Sequence, residues 1–201
     1  MMGRFIVLEG GDGSGKSTQC DAVVSWLRSE GVTAIETGEP GGTDVGREIR
    51  RMVLDGADID PRTEALLMAA DRAEHAAKVI GPALAAGTWV VSDRFVPSSL
   101  VYQGVVRGLG VDEIAEISAF ATDDLLPDLV VVLDIDDVTA ESRRDQEHDR
   151  LEREGLAFHR SVRQAYRSLA EDQGWTLVSA HGSPSEVTQR IAEILRPLLP
   201  T

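Results

Sequence analysis

Asparagine is absent from the 201 residues, cysteine occurs once, and lysine occurs only at positions 16 and 78. Without asparagine, the chain cannot carry the Asn-Lys-x-Asp sequence with which regulatory GTPases select guanine. The lone cysteine, Cys20, forms no intrachain disulfide, and His75, His148, His159 and His181 lack metal-ligand spacing, so a zinc centre is not expected. Cys20 falls on the apolar face of a predicted helix, where it reads as a small buried hydrophobe in a reducing compartment. No window reaches the ~18 apolar residues of a membrane span, and no long apolar stretch precedes Glu9. A soluble, cytoplasmic protein is expected. A net charge of −14 disfavours a broad nucleic-acid surface, so an anionic ligand would have to be held by a local cluster of arginines.

What is present begins at Gly10-Gly11-Asp12-Gly13-Ser14-Gly15-Lys16-Ser17, which fits G-x-x-x-x-G-K-[ST]. The flanks separate it from an ordinary glycine-rich turn. Phe5-Ile6-Val7-Leu8 reads as a buried strand, and Cys20, Val23, Val24 and Leu27 recur at helical spacing. Glycines let successive backbone N–H groups converge on phosphate oxygens, and the positive end of the following helix points at the same place. Lys16 is placed to reach the β- and γ-phosphates, and the Ser17 hydroxyl to ligate Mg²⁺.

Further strands are predicted over 33–37, 89–92, 129–133 and 175–178, with helical periodicity between them. The expectation is a five-stranded parallel α/β sheet with helices on both faces, in one domain spanning 1–201. Val45, Ile49, Met52 and Val53 form a helical stripe expected in the core, as do Ile114, Ile117 and Ala121. Asp60-Pro61 opens a long helix towards Ile80. Two strands end in aspartate, at Asp93 and Asp134. Asp93 is the preferred Mg²⁺ carboxylate because Arg94 follows it directly. Glu39-Pro40-Gly41-Gly42-Thr43 follows the second strand, and the next helix carries Arg47, Arg50 and Arg51, candidates for a second phosphate. Residues 141–154 are too charged for a core. They read either as a solvated, salt-bridged helix end or as an arginine-rich lid that closes over ATP.

Gly10 to Thr18, the Glu39–Thr43 loop, Asp93-Arg94 and Ser98-Ser99-Leu100-Val101-Tyr102-Gln103-Gly104 together resemble bacterial thymidylate kinase, in order and spacing, over nearly the whole chain. The resemblance implies a P-loop nucleoside monophosphate kinase-like fold with a short lid, ATP and dTMP as substrates, Mg²⁺ as cofactor, and a homodimer with the helix of Ile114 and Ile117 among its candidate faces. It implies that Arg94 and Arg50 contact the dTMP phosphate and that Arg72 donates to thymine O4. Ser99 and Gln103 lie near the base edge, and Tyr102 packs beside the deoxyribose. Asp12 lies towards the sugar and metal, with Glu39 nearby. Arg143 and Arg144 join the P-loop residues on the ATP side.

Two positions depart from the family pattern. Met68 stands where an aromatic residue commonly stacks on thymine; a thioether covers a ring face as a soft apolar contact, and Met at this spacing also suits core packing. Gly13 stands where some members carry a P-loop arginine. The transition-state arginine is therefore expected from the lid, with Arg150 of Asp149-Arg150-Leu151-Glu152 first, then Arg144 and Arg143. Other readings are a different small nucleotide kinase, a noncatalytic nucleotide-binding module, or a partition-type ATPase, which would need a basic DNA-facing patch.

Overall fold

A computed structural model describes residues 3–143 and 155–200. Five parallel strands, β1 (Phe5–Glu9), β2 (Ala34–Gly38), β3 (Trp89–Asp93), β4 (Leu129–Asp134) and β5 (Thr176–Ser179), form one sheet in the order β2-β3-β1-β4-β5. The predicted strands are all present, with ends displaced by a residue. The register sets Asp93 opposite both Leu8 and Gly38, so the carboxyl ends of β1, β2 and β3 finish together.

Alternation on β1 divides the core. Phe5 and Val7 face one apolar layer, whereas Ile6 and Leu8 face the other. The second layer is closed by α1 (Lys16–Ser29), whose Cys20, Val23, Val24 and Leu27 are all buried as their spacing predicts. The first is covered by α2 (Asp44–Arg50) and α3 (Pro61–His75), the latter opened by Asp60, whose side chain accepts from Arg62 N. A π-helical segment, Ala76–Ile80, leads from α3 into α4 (Gly81–Ala85). Then follow α5 (Val96–Ser99), α6 (Val111–Thr122), α7 (Asp137–Arg143), α8 (Leu156–Gln173) and α9 (Pro184–Leu195). The helices α6 and α8 complete the first layer, while α7 and α9 complete the second. Among the described residues no helix is long and apolar enough to cross a membrane.

Two predicted core stripes are corrected. After α2 the chain widens into a π-helical segment, Arg51–Asp55, whose longer turn shifts the phase. Val53 and Leu54 are therefore buried and Met52 is 56% exposed, while in α2 itself Ile49 is buried and Val45 is 52% exposed. On α6 the buried positions are Ile114, Ser118 and Thr122. Ile117 is only half-buried, and Phe120 is 92% exposed. Polar Ser118 and Thr122 disguised this face: the Thr122 hydroxyl donates to Ser118 O at 3.0 Å, and Ser118 Oγ accepts from Arg72.

Candidate active site

A cavity of about 940 Å³ opens at the carboxyl ends of β1, β2 and β3, and the P-loop forms its floor. Gly15, with φ 89°, ends the loop and caps α1, so the first amides of the helix point into the cavity. Lys16 Nζ donates to Gly11 O at 3.1 Å, tying the loop to itself. Burial, reinforced by the neighbouring Arg94 charge, lowers the Lys16 pKa. Gly13 has φ 80°, and a Cβ there would lie 2.3 Å from Ala140 O. The P-loop thus presses against α7, leaving no room for an arginine at position 13.

Ser17 Oγ donates to Asp93 Oδ2 at 2.6 Å, while Asp93 Oδ1 is buried without a partner. A hydroxyl and a carboxylate beside the P-loop, with one carboxylate oxygen unsatisfied, fit a hard divalent cation that completes its shell with phosphate and water oxygens. The other strand-end aspartate is already occupied: Asp134 takes Arg163 Nε at 2.9 Å and Arg167 Nη1 at 2.8 Å. Between the two sequence candidates, Asp93 is the one beside Ser17.

Arg94 also lines the cavity. Its Nη2 donates to Asp12 Oδ1 at 2.5 Å and its Nη1 to Ser98 Oγ at 3.0 Å, and its guanidinium lies 5.2 Å from the Tyr102 ring centre. Its φ of 72° is a left-handed conformation that costs a non-glycine residue about 1–2 kcal/mol. Glu9, fully buried, holds the turn that follows by accepting from Phe95 N at 2.9 Å, Ser98 N at 3.1 Å, Ser98 Oγ at 2.7 Å and Tyr166 Oη at 2.7 Å. Burial raises the Glu9 pKa against the pull of Arg94 and these donors. Sequence reasoning missed Glu9. Its signal was a carboxylate closing an otherwise apolar buried strand.

Towards β2 and α3 the cavity is bounded by Arg47, Arg50, Met68 and Gln103. Arg50 Nη1 donates to Pro40 O at 3.0 Å, whereas Arg51 turns away to pair with Glu48. Met68 belongs both to the cavity wall and to the core. Gln103 Nε2 donates to Glu64 Oε1 at 2.9 Å, and its Oε1 is buried with no partner. Arg72 is only 1% exposed and stands behind this wall, where Nε donates to Glu39 Oε2 at 2.8 Å and Nη2 to Ser99 Oγ at 3.0 Å. Ser99 and Glu39 are likewise buried, and the Glu39 carboxylate faces α3.

At the opposite end lie Arg143, Gly182, Pro184 and Val187. Arg143 donates to Ala180 O at 3.2 Å and to Gly182 O at 3.3 Å, so its guanidinium lies along the loop between β5 and α9. Gln19 ties α1 to the same loop through Pro184 O at 3.0 Å. The β5–α9 loop carries no phosphate or nucleotide motif, and only the assembled fold shows that it shares a cavity with the P-loop. Arg144 and Arg150 lie outside the described residues.

The thymidylate kinase family model matches residues 8–191. The thymidylate kinase of Synechococcus sp. (strain JA-2-3B'a(2-13)) is 48% identical over 98% of this chain and 96% of its own length. That of Rhizorhabdus wittichii is 45% identical with both chains fully covered, and that of Clavibacter sepedonicus is 49% identical over 93% of this chain and 91% of its own. Relatives that align from end to end, with a family match that takes in the P-loop, Asp93-Arg94 and the β5–α9 loop, establish that this chain belongs to the thymidylate kinase family.

Proposed function

We propose that the protein transfers the γ-phosphoryl group of ATP to the 5′-phosphate of dTMP, giving dTDP and ADP in the cytoplasm, from a single kinase domain that works as a homodimer. The observation that carries this reading is Arg94, held by Asp12 of the P-loop at 2.5 Å and facing the same cavity as Arg50 and Gln103. A cation at the junction of the two halves suits a reaction that must bring two anions together.

ATP lies along the P-loop with its adenine towards Arg143, Pro184 and Val187, and dTMP takes the side bounded by Arg50, Met68, Tyr102 and Gln103. Gln103 Oε1 accepts from the thymine imide N–H, the donor its vacant lone pairs require. Lys16 and Arg94 screen the repulsion between γ-phosphate and acceptor phosphate. An acceptor phosphate oxygen bonds to the γ-phosphorus as the bridging oxygen leaves with ADP. No covalent enzyme intermediate is required, because the attacking oxygen is already an anion. Ser17 and Asp93 would hold a Mg²⁺ ion, which would supply charge neutralisation for the transferring phosphoryl group.

The dimer reading is supported by exposed apolar side chains on adjoining helices, Leu66 of α3 and Phe120 of α6, with Leu126 beyond α6. A noncatalytic nucleotide-binding module would bind ATP without turnover. A coupled ADP-release assay over a panel of nucleoside monophosphates decides the substrate: dTMP is expected to give the highest kcat/KM, and equal rates across the panel would refute the assignment. In the same assay Arg150→Ala is expected to lower kcat more than it raises either KM, and an unchanged kcat would remove this residue from the transition state.

A further inference from the structure

His75 is completely buried at the end of α3, and both of its ring nitrogens are engaged. Nδ1 lies 2.9 Å from Glu39 Oε1, and Nε2 lies 2.6 Å from Thr37 Oγ1. A carboxylate only accepts, so Nδ1 carries a proton and donates to Glu39, while Nε2 and the Thr37 hydroxyl share the second bond. The second Glu39 oxygen receives Arg72 Nε at 2.8 Å. Thr37, His75, Glu39 and Arg72 are therefore joined by continuous hydrogen bonds, from the cavity-lining end of β2 to the buried arginine, with His75 and Arg72 both donating to Glu39.

Two further contacts lock this chain in place. The imidazole packs on Gly42 so closely that a Cβ there would lie 2.6 Å from Nε2. Asp71, one helical turn before His75, accepts from Gly41 N at 3.0 Å. Three residues of α3 thus clasp residues 37–42, the loop whose Pro40 carbonyl holds Arg50.

We propose that His75 is a positioning residue for acceptor recognition, fixing Arg72 through Glu39, whose carboxylate serves α3 and not the nucleotide or the metal. The inference rests on the acceptor-side reading of Arg72. With both Glu39 oxygens occupied, the Arg72 plane is fixed before any ligand arrives, with Nη2 donating to Ser99 Oγ and Phe95 O and Nη1 to Ser118 Oγ. Loss of the Nδ1 bond frees the carboxylate to rotate and the guanidinium with it.

The test separates the two ring nitrogens. In His75→Asn the side-chain amide stands near Nδ1 and still donates to Glu39, whereas in His75→Gln it stands near Nε2 and reaches only Thr37. Supporting-residue losses of this kind run from about 10-fold upward. His75→Gln is accordingly expected to raise the dTMP KM about tenfold with the ATP KM unchanged, and His75→Asn to stay within about threefold of the parent. Thr37→Val, which removes one hydroxyl from a half-buried site, is expected to shift dTMP affinity in the same direction by about threefold and decides the matter if the His75 variants fail to fold. Equal effects of the Asn and Gln variants, a parallel rise in the ATP KM, or an unaltered dTMP affinity in Thr37→Val would overturn the proposal. Arg72→Gln serves as reference, with dTMP binding read by calorimetry. If Arg72→Gln binds dTMP as the parent does, the acceptor-side reading of Arg72 itself fails; if it weakens binding and His75→Gln does not, only the positioning role fails.

Discussion

Ser17 Oγ and Asp93 Oδ2 lie 2.6 Å apart although 76 positions separate them in sequence, and the remaining Asp93 oxygen has no partner. The first residue lies in the first turn of α1, and the second closes β3. Asp93→Asn keeps the shape and one acceptor but loses the charge. It is expected to lower kcat by about 100-fold or more and to raise the Mg²⁺ concentration for half-maximal rate, as loss of one charge-stabilising group commonly does. Rate measurements over a Mg²⁺ titration check this, and parental kinetics would remove Asp93 from the metal site.

Gly13 is held by its positive φ and by the carbonyl of Ala140 at once. Gly13→Ala must either move α7 or distort the P-loop, on top of about 1–2 kcal/mol for the left-handed backbone. A lower melting temperature together with a raised ATP KM is expected. An alanine variant with unchanged ATP kinetics would show that the contact between loop and α7 gives way freely.

Met68→Phe puts a ring where the cavity meets the core. If thymine lies against position 68, aromatic packing worth about 0.5–1.5 kcal/mol should tighten dTMP roughly 2- to 10-fold. Titration with dTMP decides it. No gain in affinity would leave Met68 a core residue alone.

Asp71 is buried, and its carboxyl is pushed up from 3.8 to about 6, chiefly by burial and then by the nearby Glu39 charge. A folded-state value above the unfolded one means that the unfolded chain releases this proton first. Stability therefore falls as pH rises from about 4 to 6, and the cost persists above that range. Asp71→Asn keeps an acceptor for Gly41 N and removes the titration. At pH 7.5 it is expected to be more stable by about 1–3 kcal/mol, with the difference vanishing below pH 4. Urea unfolding at both pH values tests the sign, and a variant equally destabilised at both would contradict it.

The sheet was legible because each strand is a short apolar run bounded by turn residues, and α1 because Cys20, Val23, Val24 and Leu27 sit on one buried face. The stripes of α2 and α6 misled for opposite reasons. A π-helical turn moved Met52 outward and Leu54 inward, and on α6 two hydroxyl residues took buried positions by bonding to the helix itself or to Arg72. At the cavity, residues carried by a motif were visible: Lys16, Ser17, Asp93, Arg94. Residues placed by the fold were not. Glu9 behind Arg94, His75 behind the Glu39–Thr43 loop and Pro184 on the cavity wall are brought into relation only when β1, α3 and the far edge of the sheet come together.

Lys16, Arg47, Arg50, Arg94 and Arg143 line one cavity, where they outnumber the carboxylates Asp12, Glu36, Glu39 and Asp93, in a chain of net charge −14. An approaching nucleotide therefore meets repulsion at long range and attraction only near the mouth. Screening lengths are about 10 Å at 0.1 M salt and about 30 Å at 0.01 M, so modest salt erases the distant repulsion before it reaches the close contacts. Nucleotide capture by this protein should then quicken as ionic strength rises from very low values, the reverse of an enzyme whose whole surface steers its substrate.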